Sequence, residues 1–119
     1  MPSPESAAPT SNRILDHPAR DEIRLDAVLH ALADPMRLRV VKALGDSSSE
    51  LACGDVELAV SKSTSTHHYR VLREAGVISQ CYRGTAKMNS LRRADLDALF
   101  PGLLDSVLTA LAKHDRFAP

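Results

Sequence analysis

Between Ser61 and Ala75 the chain sets Lys62, Ser63, Thr66, His67, Arg70 and Arg73 at spacings that share one side of a helix. At about 100 degrees per residue, Thr64, His68, Val71, Leu72 and Ala75 fall on the opposite side. One side packs and the other is polar and basic. The hydroxyls of Ser63 and Thr66 are short enough to let a backbone approach a DNA groove closely. His67 can donate or accept toward base edges, and Arg70 and Arg73 reach phosphates or guanine. His68 lies with Val71 and Leu72 and reads as a hydrogen-bonded core histidine. Taken alone, the segment also fits a solvated amphipathic helix, so its neighbours decide.

Charge distribution favours the nucleic-acid reading. The 119 residues carry no net charge, which by itself argues against a DNA binder. From Val60 to Arg93, however, seven basic residues (Lys62, Arg70, Arg73, Arg83, Lys87, Arg92 and Arg93) stand against the single acid Glu74. Positive potential is therefore local, where phosphate contact needs it. Other chemistry is sparse: the sequence has no glycine-rich phosphate loop, nucleophile motif or paired metal histidines, which speaks against an enzyme. Tyr69, Tyr82, Phe100 and Phe117 do not line up as a stacking platform for single strands or RNA.

The elements that must hold this helix follow from period and punctuation. Leu25, Val28, Leu29, Leu32 and Ala33 recur at helical spacing, and Asp34-Pro35 supplies an N-cap and a first-turn proline for a second helix. Gly45 is expected to end that helix in the left-handed conformation. Leu51 to Val60 reads as a short, weaker helix. Ser61 then caps the polar-faced helix, which stops at Gly76. Val77 to Arg83 and Ala86 to Leu91 read as strands joined by a tight turn at Gly84-Thr85, with Arg83 and Lys87 flanking the tip as phosphate contacts. A helical pattern resumes from Ala94, breaks at Pro101-Gly102 and continues through Leu111. The Pro-, Ser- and Ala-rich start lacks the features of a secretory signal. Residues 1–16 are therefore expected to be a disordered tail, 17–119 one domain, and the location cytoplasmic. Cys53 and Cys81 are too few for a disulfide framework.

Two stretches carry a specific resemblance. Leu29-His30-Ala31-Leu32-Ala33-Asp34-Pro35-Met36-Arg37-Leu38, and the run from Val60 through the Thr66-His67-His68 segment to Ile78, resemble the opening and the recognition helix of ArsR/SmtB regulators. Together they span about a quarter of the chain. The resemblance implies a mainly α fold with a small β-hairpin, a winged helix-turn-helix of about five helices and a two-stranded wing. It further implies a homodimer through the first and last helices, acting as a repressor on an inverted-repeat operator in double-stranded DNA. The helix at about 62–75 would enter the major groove, with the wing at about 77–91 on the backbone or minor groove. Position by position, Lys62, Ser63, Thr66 and His67 match the family's DNA-reading residues, with Lys62 standing where Gln is more usual.

Members of that family often respond to a metal, but neither usual ligand set is present here. In Glu50-Leu51-Ala52-Cys53-Gly54-Asp55, Ala52 and Gly54 occupy the cysteine positions of one set. In the other, Val107 stands two residues after Asp105 where a histidine is needed, and Leu103 occupies the upstream position that should partner His114. No metal site and no cofactor are assigned. The alternatives for an effector are a thiol signal at Cys53 or Cys81, a small organic ligand at the dimer interface, and an atypical metal site using His17, His30 or His114. A helix-turn-helix adaptor that binds protein instead of DNA is the competing function.

Overall fold

The computed structural model describes residues 12–114. Its elements run β1 (Asn12–Ile14), α1 (Leu25–Leu32), α2 (Pro35–Asp46), β2 (Leu51–Ala52), α3 (Lys62–Glu74), β3 (Ile78–Arg83), β4 (Ala86–Leu91), α4 (Arg93–Leu99) and α5 (Leu103–Lys113), with single 3-10 turns at Arg20–Glu22 and Cys53–Asp55. Five helices and an antiparallel β3–β4 hairpin make a winged helix-turn-helix fold.

The core lies where α1, α2 and α3 meet the base of the hairpin. Val28, Ala31, Val40, Val41, Leu72, Val77 and Ile78 are essentially sealed from solvent there. α4 adds Leu96 and α5 adds Leu104 to the same cluster.

The Asp34-Pro35-Met36-Arg37 run explains how three helices are fixed to one another. Asp34 Oδ1 accepts the N–H groups of Met36 at 2.8 Å and Arg37 at 3.2 Å, capping α2. Burial works against the Asp34 charge, but these N–H bonds outweigh it and hold the carboxyl below its ordinary value. Arg37 then reaches back, donating from Nε to Ala31 O at 2.6 Å and from Nη2 to His30 O at 3.3 Å. The guanidinium thus caps the C-terminal end of α1, where its charge also suits the helix dipole. Its Nη1 lies 3.2 Å from His68 Nδ1 on α3, and because a guanidinium only donates, that nitrogen accepts.

Four features differ from the sequence expectations. Gly45 does not end α2, which continues to Asp46. The reason for a glycine is close packing: a Cβ at Gly45 would lie 2.7 Å from Leu108 Cδ2 of α5. Leu51 to Val60 forms no α-helix, only β2 and the 3-10 turn at Cys53–Asp55. Ala52 and Leu51 pair instead with Met88 and Asn89, so the sheet competes successfully for this weakly periodic stretch. The wing is correspondingly larger than two strands, because β1 and β2 flank the hairpin in the order β1-β3-β4-β2. Finally, Asn12–Ile14 form β1 against β3 inside the stretch expected to be a disordered tail. Long-range pairing orders these three residues, and local composition does not reveal it. The remainder of that expectation, residues 1–11, lies outside the described residues, as do 115–119.

Other punctuation is as expected. Gly76 ends α3 with φ +88, and a Cβ there would also meet Ile23 Cγ1 at 2.6 Å. β3 and β4 pair in register from Ile78↔Leu91 to Arg83↔Ala86.

Candidate nucleic-acid interface

α3 is oriented by its buried side. His68, Tyr69 and Leu72 are buried, and Ala75 follows them into the core. His68 is the hydrogen-bonded core histidine expected from its side of the helix, accepting from Arg37 with Asp34 Oδ1 4.0 Å away. Burial pushes the Tyr69 phenol well above its ordinary pKa. Thr64 departs from the helical projection. It is exposed in the first turn, beyond the reach of the core, and helps the cap: Ser61 Oγ accepts the Thr64 N–H at 3.2 Å and donates to Thr64 Oγ1 at 2.9 Å.

The opposite side presents Lys62, Ser63, Thr66, His67 and Arg70, all exposed. Arg70 Nη2 lies 3.3 Å from His67 Nδ1, so the imidazole accepts there and leaves its Nε2 side for an outside partner. Two neighbouring side chains of the exposed face are thereby held together.

Arg73 is placed differently. Its Nη1 donates to Gln80 Oε1 on β3 at 2.8 Å, and its Nε is enclosed with no partner among the described residues. The side chain turns along the helix toward the wing instead of standing out with Arg70. Gln80 continues the chain of contacts, donating from Nε2 to Asn89 Oδ1 at 2.7 Å. Asn89 Nδ2 in turn donates to Leu51 O at 3.0 Å and to Cys53 Sγ at 3.3 Å. Gln80 and Asn89 are each only 1% exposed. The Gln80–Asn89 pair, bonded at both ends, fixes geometry, because each member is costly to leave unpaired. It ties α3 through both wing strands to β2. Sequence reading missed it, because Gln80 and Asn89 stand in strands that are polar along much of their length and so carry no local sign of burial.

Arg83 and Lys87 do not share a face of the wing. Side chains alternate along a strand, and directly paired residues project to the same face. Lys87 pairs with Tyr82, on the face that carries Gln80 and Asn89. Arg83 pairs with Ala86 on the other face, where Glu50 holds its guanidinium at 2.7 and 3.0 Å. The hydrogen-bonded Arg83 keeps the Glu50 carboxyl below its ordinary pKa.

The two cysteines are kept apart by the same sheet. Ala52 and Cys81 both pair with Met88, from opposite edges of β4, so β2 and β3 stand about 10 Å apart. That separation exceeds what a disulfide between Cys81 and the adjoining Cys53 permits. Burial, reinforced by the Glu50 carboxylate, pushes the Cys81 thiol up and makes it a poorer nucleophile. Among the described residues no three His, Cys, Asp or Glu side chains cluster as metal ligands. No helix among them is long and apolar enough to cross a membrane.

A helix with an exposed basic and hydroxyl face, seated on a core and followed by a β-hairpin, defines a helix-turn-helix regulator. The comparisons agree. The chain is 34% identical over 89 residues to YceK of Bacillus subtilis (strain 168), an uncharacterised HTH-type transcriptional regulator, in a match covering 73% of this chain and 88% of that protein. It is 32% identical over 59 residues to MJ1325 of Methanocaldococcus jannaschii, another uncharacterised HTH-type transcriptional regulator, covering 49% of this chain and 66% of the relative. The chain belongs to the HTH-type transcriptional regulators. No protein-family model matches it.

Proposed function

We propose that this regulator is a cytoplasmic, homodimeric repressor of ArsR/SmtB type that reads an inverted-repeat operator with α3 in the major groove. The observation that carries the reading is the exposed set Lys62, Ser63, Thr66, His67 and Arg70 on one side of α3, opposite a buried side. With Nδ1 of His67 engaged by Arg70, its Nε2–H is the donor that suits purine N7 or guanine O6. Lys87 serves as a wing phosphate contact, and Arg83 becomes one only on release from Glu50. Arg73 contributes by setting the angle between α3 and the wing.

Support for the dimer comes from α1. Leu25 and Leu29, one helical turn apart, are each 47% exposed, a pair of large apolar side chains without cover in the single chain. A second α1, joined by α5, is the partner that the family resemblance supplies. Ligand sets interrupted at Ala52, Gly54, Leu103 and Val107 leave the usual metals out of this reading.

The test is selection of bound sequences from random duplex DNA by the full chain. The proposal expects a symmetric motif with half-sites about one helical turn apart, bound by a dimer. It also expects log affinity to fall against log salt with a slope of roughly −4 to −7, as for several neutralised phosphates. An asymmetric or absent motif, or a slope near zero, contradicts it and favours a protein-binding adaptor.

A further inference from the structure

Strand β1 brings a basic residue into the wing that the hairpin alone lacks. Arg13 pairs across with Tyr82, and Tyr82 pairs across with Lys87, so the three stand in one row on one face of the sheet. The Arg13 guanidinium carbon is 5.1 Å from the centre of the Tyr82 ring, and Lys87 Nζ is 5.7 Å from it. Because β3 lies between β1 and β4, the ring meets a cation from each side, Arg13 from one neighbouring strand and Lys87 from the other.

The orientation of the row follows from its neighbours. Two residues inward on the same face are Gln80 and Asn89, and Gln80 receives Arg73 from α3. The row therefore extends from the side of the wing that adjoins α3, whereas Arg83 with its Glu50 partner lies on the other side. β1 is itself pinned in register: Leu15 N–H donates to Gln80 O at 3.3 Å, and Gln80 N–H donates to His17 Nε2 at 2.8 Å.

We propose that Arg13 and Lys87, flanking Tyr82, form a two-cation clamp for a backbone phosphate of duplex DNA. This rests on the reading of α3 as the element in the groove and adds the N-terminal strand to the DNA surface. A phosphate over the row would meet a cation from each side of Tyr82, and because phosphate oxygens are alike at every step, a contact confined to them is indifferent to sequence.

The experiment compares the full wild-type chain with Arg13→Thr, which suits a strand but carries no charge, and with Arg13→Lys. Affinity for the selected duplex and a scrambled duplex is measured across a salt series, and hydrogen exchange at the Leu15 amide confirms that β1 stays paired. Arg13→Thr is expected to weaken both duplexes about three- to tenfold and to shrink the salt slope by about one, with Arg13→Lys close to wild type. Wild-type slope and affinity in Arg13→Thr with β1 paired overturn the clamp, as do equal losses in both variants. If Arg13→Thr frays β1, Lys87→Ala takes its place, and an unchanged salt slope there overturns the clamp. A wild-type chain that binds no duplex overturns the DNA reading and the clamp together.

Discussion

Glu50 grips Arg83 with both carboxylate oxygens, Nε to Oε1 at 2.7 Å and Nη2 to Oε2 at 3.0 Å. The fork is the one a guanidinium offers to a phosphate, so the wing carries its own competitor for this arginine. Arg83→Ala is therefore expected to leave the salt slope of DNA binding unchanged, whereas Lys87→Ala shrinks it by about one. Glu50→Gln should raise affinity for all duplexes, and the gain should vanish in the Glu50→Gln, Arg83→Ala double variant. Asp55→Asn, a nearby loss of charge away from Arg83, should not reproduce it. Equal slopes for the two wing variants would show that Arg83 contacts DNA in spite of Glu50.

Arg73 and Thr66 lie on one helix yet should fail in different ways. Removing Arg73 leaves Gln80 Oε1 buried without its donor, and Arg73→Ala is expected to cost about 1–3 kcal/mol of stability. Its effect on binding should be alike for all sequences, since it sets the wing angle. Thr66→Ala should keep stability within about 0.5 kcal/mol, the usual range for an exposed side chain. It should relax preference at one base position by about 1–3 kcal/mol. Denaturant unfolding together with repeated selection separates the two, and a shifted base preference in Arg73→Ala would make it a reading residue.

Sequence patterns carried much of this fold for local reasons. The Asp34 cap, the stop at Gly76 and the hairpin at Gly84-Thr85 each depend on a few adjacent residues, and each appears as read. What the sequence hid depends on distant partners. Gly45 looked like a helix stop because Leu108 cannot be anticipated 63 positions away. Arg73 looked like a contact residue because helical projection gives the direction of a Cβ and says nothing of where a long side chain bends. β1 is three residues whose order comes from β3. The separation of Arg83 from Lys87 followed from strand alternation and was available in principle. Only the register needed to be known.

Arg37 is the buried link between α1, α2 and α3. Arg37→Leu removes the donors to Ala31 O and His30 O as well as the contact to His68, and about 2–4 kcal/mol of stability should go with them. Guanidinium chloride unfolding is the measurement. A loss under about 0.5 kcal/mol would show that these carbonyls find other partners.

His17 makes the fold sensitive to acid. Its Nδ1 bonds Leu15 O, and its Nε2 accepts from Gln80 N–H, an arrangement that only the uncharged ring can make. Burial lowers its pKa, and the nearby Arg92 and Arg73 add to the shift against the opposing Leu15 bond and Asp16. With the folded value below the unfolded one, its contribution is complete above about pH 6.5 and declines as pH falls toward the folded value. Wild type should lose more stability than His17→Gln between pH 7.5 and pH 5 (about that range suffices). Parallel curves would remove His17 from the acid response.

The reading of bases by α3 underlies the whole proposed interface. Its most direct test is the affinity of wild type and of a Thr66→Ala, His67→Ala variant for the selected operator and for a scrambled duplex of equal length at one salt concentration. Base-edge contacts specify and phosphate contacts do not, so the operator-to-scrambled ratio should collapse by about 10- to 100-fold while affinity for the scrambled duplex stays within about threefold. An unchanged ratio, or equal losses on both duplexes, would contradict the assignment of α3 as the reading helix.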